Sequence, residues 1–337
     1  MKQTLKLSFE MTNTLSRIEH NGLKINTDTL EDIEKQYMDE MTMLETKLNR
    51  LAKNAMGDTP INLASPDDKS VLLYSRKVKD KSLWSLTFNL GHEMRGNTIK
   101  PKMRTRMKNK DFVQYVRRMT DIVYKTVGRQ CETCRGSGRI TPLKKDGSVG
   151  KAKRICKVCE GKGVVYTSTG EVAGFKLIPR TPRDTASAGF KTDKVTLEDR
   201  LSELSGDARE FCEAYVRYNA LRTYLSTFVE GMKNNVDDYN FIHPEFMQCV
   251  TATGRLSSRN PNFQNMPRGS TFAIRKVVES RFDDGFILEG DYSQLEFRVA
   301  GFLAKDNQVY EDVKKGTDVH SYTASIIGCS RQEAKAH

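Results

Sequence analysis

The sequence predicts an α+β fold, with a cysteine module inserted between helical regions. Three observations predict it. Apolar residues recur at steps of three and four over two long stretches, as the buried stripe of a helix requires. A short apolar run, Phe286-Ile287-Leu288, reads as a strand that leads into a turn and a helix start. Two Cys-x-x-Cys pairs, Cys131/Cys134 and Cys156/Cys159, stand 21 residues apart.

Along the chain, Ile18–Ile25 reads as a short turn flanked by apolar positions. A long helix follows, with Asp28 and Glu31 placed as cap and third residue. Leu30, Ile33, Tyr37, Met41, Leu44, Leu48 and Leu51 form its core-facing stripe. A second amphipathic helix carries Ala208, Phe211, Tyr215, Tyr218, Leu221, Leu225 and Phe228. Gly231–Asp238 is a polar break, and Phe246 begins a strand-like stretch. After the 286–288 run, Ser293 and Glu296 have capping-box spacing, and Leu295, Val299 and Phe302 give the next helix an apolar face. Cys212, Cys249 and Cys329 read as packing residues.

At 337 residues the chain has room for about two domains. No apolar run approaches the ~18 residues of a membrane span, and the N-terminus lacks a signal-peptide core, so a cytoplasmic protein is expected. A net charge of +12 favours a polyanionic partner. Nine Lys or Arg residues fall between Arg95 and Arg118 against one acid, Asp111, a density that favours phosphate-backbone contact over a merely solvated face.

Both cysteine pairs continue with glycines at matched offsets, Gly136 and Gly138 after the first, Gly161 and Gly163 after the second. Two such knuckles present four thiolates for a tetrahedral Zn²⁺. The alternatives are two disulfides, disfavoured by a reducing cytoplasm, and reduced thiols without a ligand, disfavoured by the fourfold matched spacing. The repeat resembles the zinc-binding knuckles of J-domain co-chaperones, although one pair of knuckles is present and no J-domain signature accompanies it. Lys144, Lys145, Lys151, Lys153 and Arg154 nearby suggest a structural ribbon pinning a basic insertion against DNA.

Asp291-Tyr-Ser-Gln-Leu-Glu-Phe-Arg298 resembles the first metal-binding motif of family A (DNA polymerase I-like) DNA polymerases. Thr251-Ala-Thr-Gly-Arg-Leu-Ser-Ser258 and Pro261-Asn-Phe-Gln-Asn-Met-Pro267 resemble that family's segment gripping the primer-template minor groove. Ile61–Pro66 and Ala188–Asp193 resemble parts of its thumb. The resemblance implies thumb helices plus a partial antiparallel palm sheet. Residues 1–74 would be palm entry and thumb start, 75–178 a basic insertion with zinc knuckles at 131–163, 179–240 thumb helices, and 241–337 partial palm. It implies that Asp291 and the Tyr292 carbonyl bind Mg²⁺, and that Ser293, Gln294, Glu296 and His320 meet the incoming deoxynucleoside triphosphate, Glu296 excluding a ribose 2′-hydroxyl. Arg255, Gln264, Asn265 and Arg275 would contact primer-template DNA; Arg217 and Arg222 on the second amphipathic helix either face template backbone or, the commoner case, are ordinary surface arginines. Met247, Cys249 and Gly290 depart from the family's usual Asn, Thr and Ala, which puts packing rather than chemistry in doubt.

No exonuclease-like acidic motif precedes these segments, so proofreading is not expected. The family's fingers helix and its second metal-binding Asp do not follow Ser330 within the sequence. The expectation is therefore an N-terminal part of a DNA-directed DNA polymerase, phage-type, incomplete at its two-ion Mg²⁺ site and completed by a C-terminal polymerase fragment. The rival expectation is a catalytically inactive zinc-containing DNA-binding protein.

Overall fold

The computed structural model describes residues 2–95, 98–101, 107–141, 153–267 and 272–334. It divides into two units, Met1–Val278 and Glu279–His337. Among the described residues, helices joined by short two- and three-stranded sheets give the expected α+β class. No described helix is long and apolar enough to cross a membrane.

In the first unit, α1 (Lys2–Asn21) ends at Gly22, whose φ of +64° turns the chain into the strand Leu23–Ile25. Ile18–Asn21, expected in the turn, is still helical. The strand pairs antiparallel with Phe241–Ile242. Next comes α2 (Thr27–Met56), 30 residues and so about 45 Å long. Its cap is Asn26, which accepts a hydrogen bond from Thr29 N–H at 2.8 Å, rather than the expected Asp28. Asp28 lies already in the first turn, where its charge suits the positive end of the helix dipole.

The α2 stripe serves two cores. Leu30, Ile33 and Tyr37 pack with Leu221, Tyr224, Phe272, Ile274 and Val277. One helical stretch further on, Leu48, Leu51, Ala52 and Met56 join α3 (Pro66–Tyr74), α4 (Lys81–Thr87), α5 (Asn109–Met119) and α6 (Lys194–Arg200). Against both lies α7 (Gly206–Tyr224), continued by a π-helical turn at Leu225–Val229 into α8 (Glu230–Lys233). The helix thus runs into the expected polar break and stops at its middle. Trp84 is fully buried and donates Nε1–H to Ala186 O at 3.0 Å. With Phe88, Phe112 and Val116 it ties α4 and α5 into the helical core.

Residues 124–172 behave differently. Tyr124–Gln130 and Val164–Val172 form an antiparallel stem, and Arg139–Ile140 pairs with Arg154–Ile155 at its tip. The stem is rooted on the end of α2. Asp58 N–H donates to Thr126 O at 2.8 Å, Gly128 N–H to Asp58 Oδ2 at 2.9 Å, and the Thr59 and Thr126 hydroxyls are 2.6 Å apart.

The second unit holds α9 (Leu295–Ala304), α10 (Asn307–Lys314), α11 (Val319–Ile327) and α12 (Arg331–Ala334). Gly301 is buried, and a Cβ there would stand 2.2 Å from Val309 Cγ1, so glycine sets the approach of α9 to α10. Two expectations fail in this unit. Phe286-Ile287-Leu288 forms no strand, and Phe286 and Leu288 are 82% and 86% exposed. A strand needs a ladder partner for its backbone groups, and none of the described strands takes that place. The Ser293/Glu296 capping box does not form either. Gln294, in the left-handed region at φ +54°, precedes α9. That bend puts Ser293 outside the capping geometry, and its carbonyl instead accepts from Arg298 Nε at 2.8 Å. Of the three remaining cysteines, Cys212 is buried as expected, whereas Cys249 is exposed at φ +61° and Cys329 is half-buried.

Candidate functional site

The four knuckle cysteines form the one cluster among the described residues in which at least three potential ligand atoms lie within 4.8 Å of one another. All four are buried. Cys131 Sγ and Cys156 Sγ are 3.8 Å apart, Cys134 Sγ and Cys159 Sγ 3.6 Å. A disulfide would need about 2.05 Å. Four sulfurs at about 2.3 Å from a central Zn²⁺ stand about 3.8 Å from one another, so the spacing fits a tetrathiolate, and no disulfide joins the four in this structure.

The knuckles are built twice on the same plan. Gly136 N–H bonds Cys131 O and Gly161 N–H bonds Cys156 O. They also clasp each other, since Cys131 N–H donates to Gly163 O at 2.8 Å and Cys156 N–H to Gly138 O at 2.9 Å. Only glycine fits at the crossing: a Cβ on Gly138 would meet Gly161 O at 2.2 Å, and one on Gly163 would meet Gly136 O at 2.3 Å. Both glycines also take positive φ, +67° and +75°. Burial pushes the Cys134 thiol up. At Cys159 burial is outweighed by the Gly163 N–H, 3.3 Å from its sulfur, and by the neighbouring thiols, which lower it to about 7.

The minor-groove candidates lie in the first unit. Gly254, at φ +75°, turns the chain, and Thr251 Oγ1 donates to Arg255 O at 2.7 Å, leaving the Arg255 side chain exposed. Gln264 and Asn265 lie in a 3₁₀ turn, Phe263–Asn265, capped by Asn262. Buried Ser258 braces it, donating to Asn262 Oδ1 at 3.1 Å. Gln264 and Asn265 are both exposed, as minor-groove contact requires. Arg275 donates instead to the carbonyls of Pro267 and Met266, both at 3.3 Å, so it braces the segment that follows the turn. Arg217, offered to a template backbone by the sequence, is held by Glu40 through two bonds of 2.7 and 2.8 Å and lies 5.0 Å over the Phe272 ring.

The nucleotide and magnesium candidates lie in the second unit. Asp291, Tyr292, Ser293 and Glu296 are exposed. Gln294 donates to Asp318 Oδ1 at 3.1 Å, which links the 291–298 motif to the start of α11, where His320 sits half-buried. Asp318 was missed from the sequence. It also accepts from Arg331 and Ser321, and the Arg331 guanidinium holds its carboxyl far below the usual carboxylate range. Its place two residues before His320 was the available signal.

Residues 173–337 match the family model described as DNA polymerase family A. Over that span the chain is similar to family A DNA polymerases. The match starts one residue after the antiparallel stem ends at Val172. Similar curated proteins are the DNA polymerase I of Synechocystis, 35% identical over 142 residues, and those of Bacillus subtilis, 32% over 158, and Geobacillus stearothermophilus, 34% over 151. These alignments take in 41–44% of this chain and 14–18% of the relatives' own lengths. A solved structure of the POL domain of Pol1 from M. smegmatis, in complex with DNA primer-template and dNTP, aligns over 96% of this chain and 40% of its own, with a TM-score of 0.48 and 20% identity.

Proposed function

We propose that this chain is part of a DNA-directed DNA polymerase that extends a primer on template DNA with deoxynucleoside triphosphates. The observation that carries the reading is the family A match over the span that holds both motifs, 251–267 and 291–298. In it, residues 179–240 are thumb helices, 241–337 part of the palm, and 75–178 an insertion. Arg255, Gln264 and Asn265 contact the minor-groove edge, where acceptors common to all correct pairs suit a sequence-blind enzyme. Arg275 supports that segment through the backbone. Gln294 and His320 face the triphosphate, and Glu296 rejects the ribose 2′-hydroxyl.

Asp291 and the Tyr292 carbonyl would help hold Mg²⁺, which would supply charge stabilisation for phosphoryl transfer. The donor set here does not fit a pair of such ions. Asp291 is the motif's one metal-binding carboxylate, and it belongs to no cluster of three ligands among the described residues. The remaining ligands must come from polypeptide beyond this set, a C-terminal polymerase fragment or the continuation of the chain. The four cysteines, by contrast, fit one structural Zn²⁺.

Primer extension tests the reading, with the chain alone and with a polypeptide supplying the rest of the polymerase region. Extension is expected in the mixture and is lost, by on the order of 10³-fold or more, in Asp291→Asn. If the mixture binds DNA and never extends a primer, the second reading, a catalytically inactive zinc-containing DNA-binding protein, takes over; four clustered cysteines in one unit and a lone motif carboxylate in the other favour it.

A further inference from the structure

We propose that the zinc ribbon, residues 124–172, is a DNA-binding element in its own right, contacting the phosphate backbone through exposed cations on its knuckles and tip hairpin. The polyanion is taken as DNA because of the polymerase reading above. These 49 residues hold eleven Lys or Arg and four Asp or Glu, a net +7 of the chain's +12. A zinc tetrathiolate has a formal charge of −2, which leaves the ribbon at roughly +5.

In the helical body some cations are taken up by acids, as in Lys47–Glu210, Arg217–Glu40, Lys233–Glu34 and Arg259–Glu245, while others, such as Lys35, Lys53, Arg117 and Arg222, are exposed without an ion pair among the described residues. In the ribbon, Glu171 pairs with Lys125 and Glu160 with Lys162. Arg129, Arg135, Arg139, Lys153, Arg154 and Lys157 are exposed and have no ion pair among the described residues. They are also placed on rigid backbone. Arg135 and Lys157 belong to the clasped knuckles, and Arg139 and Arg154 to the antiparallel tip pair. Presenting unpaired charge on a metal-pinned scaffold lowers the ordering cost of each phosphate contact. Guanidinium groups suit phosphate oxygens through paired N–H donors.

The test is salt-dependent binding of the full chain to a labelled primer-template duplex. It compares wild type with a variant carrying Arg135→Gln, Arg139→Gln, Arg154→Gln and Lys157→Gln. Metal analysis must show zinc retained, so that loss of the ribbon's fold is not the cause. Each lost phosphate contact lowers the slope of log affinity against log salt by about 0.9, so the slope should drop by about 2 to 4 and affinity near 0.1 M salt by tenfold or more. A second variant with lysine at the three arginine positions and arginine at Lys157 should restore the slope, because backbone contact reads charge. Wild-type binding with an unchanged slope in the glutamine variant overturns the ribbon proposal and leaves the polymerase reading standing. A wild-type chain that does not bind the duplex at all overturns both.

Discussion

The knuckles at 131–163 and the motif at 291–298 are both turns proposed here to carry metal ligands, yet one is closed and the other open. The cysteines are buried, mutually clasped and complete within 29 residues of chain. Asp291 is exposed, follows an unpaired apolar segment, and offers one carboxylate. The difference is one of sequence locality. A tetrathiolate site draws every ligand from two adjacent turns, so local rules suffice to build it. A two-ion phosphoryl-transfer site draws carboxylates from separate strands, so it exists only once a sheet has assembled around it.

The largest expected effect comes from breaking the closed site. Cys131→Ser with Cys156→Ser removes one ligand from each knuckle, and zinc binding to such sites is worth on the order of 10 kcal/mol of folding free energy. Metal analysis should read one zinc per wild-type chain and none in the double variant. Hydrogen exchange should show residues 124–172 losing protection while α2 and α7 keep theirs, since the helical cores share no residue with the cysteine cluster. A collapse of α2 protection as well would mean that the ribbon is not energetically separate.

This contrast also explains what could be read from the sequence. The α2 stripe and the cysteine tetrad were legible because each follows a local period or spacing, and Leu30, Ile33, Tyr37, Leu48 and Leu51 are all buried as read. The caps were misread by short distances. Asn26 and Asp28 both suit a helix start, and only the backbone geometry decides between them. The 286–288 strand failed for a different reason, because β structure is a property of pairs of segments and the apolar run supplies one. Asp318 was missed because a carboxylate that organises Gln294 and Arg331 gains its meaning from contacts 24 and 13 residues away. Residues 81–88 and 109–119 fall in the span read as an insertion because nothing in it resembles the family's thumb, yet Trp84, Phe88 and Phe112 place these two stretches in the helical core. Within the basic run, Lys102, Arg104 and Arg106 lie outside the described residues, as do Lys144, Lys145 and Lys151 beside the knuckles.

A smaller perturbation should sharpen the boundary between the two regions. Gly57 caps α2 at φ +74°, and a Cβ there would meet Thr126 O at 2.3 Å, the point where the ribbon stem touches the helix. Backbone cannot yield as a flexible side chain would, so Gly57→Ala should cost about 2–3 kcal/mol. Urea denaturation should show the loss, with zinc content unchanged. If zinc is lost too, the root and the metal site are coupled through the stem.

The smallest effect is expected at Arg217, and it tests the same division by charge. Its Glu40 partner is partly exposed, so the pair should contribute no more than about 1 kcal/mol. Glu40 has a lowered carboxyl pKa, chiefly through the hydrogen bond from Arg217. A carboxylate depressed in the folded state stabilises above its unfolded value and loses that contribution as pH falls through the folded one. Denaturation midpoints of wild type and Glu40→Gln should therefore differ near neutral pH and converge below about pH 4. Arg217→Met should leave the salt slope of DNA binding unchanged, because its guanidinium is already neutralised by Glu40 and stacked on Phe272. An equal fall in slope for Arg217→Met and for the ribbon variant would mean that a cation's acidic partner does not decide whether it meets phosphate, and the distinction between paired and unpaired charge would fail.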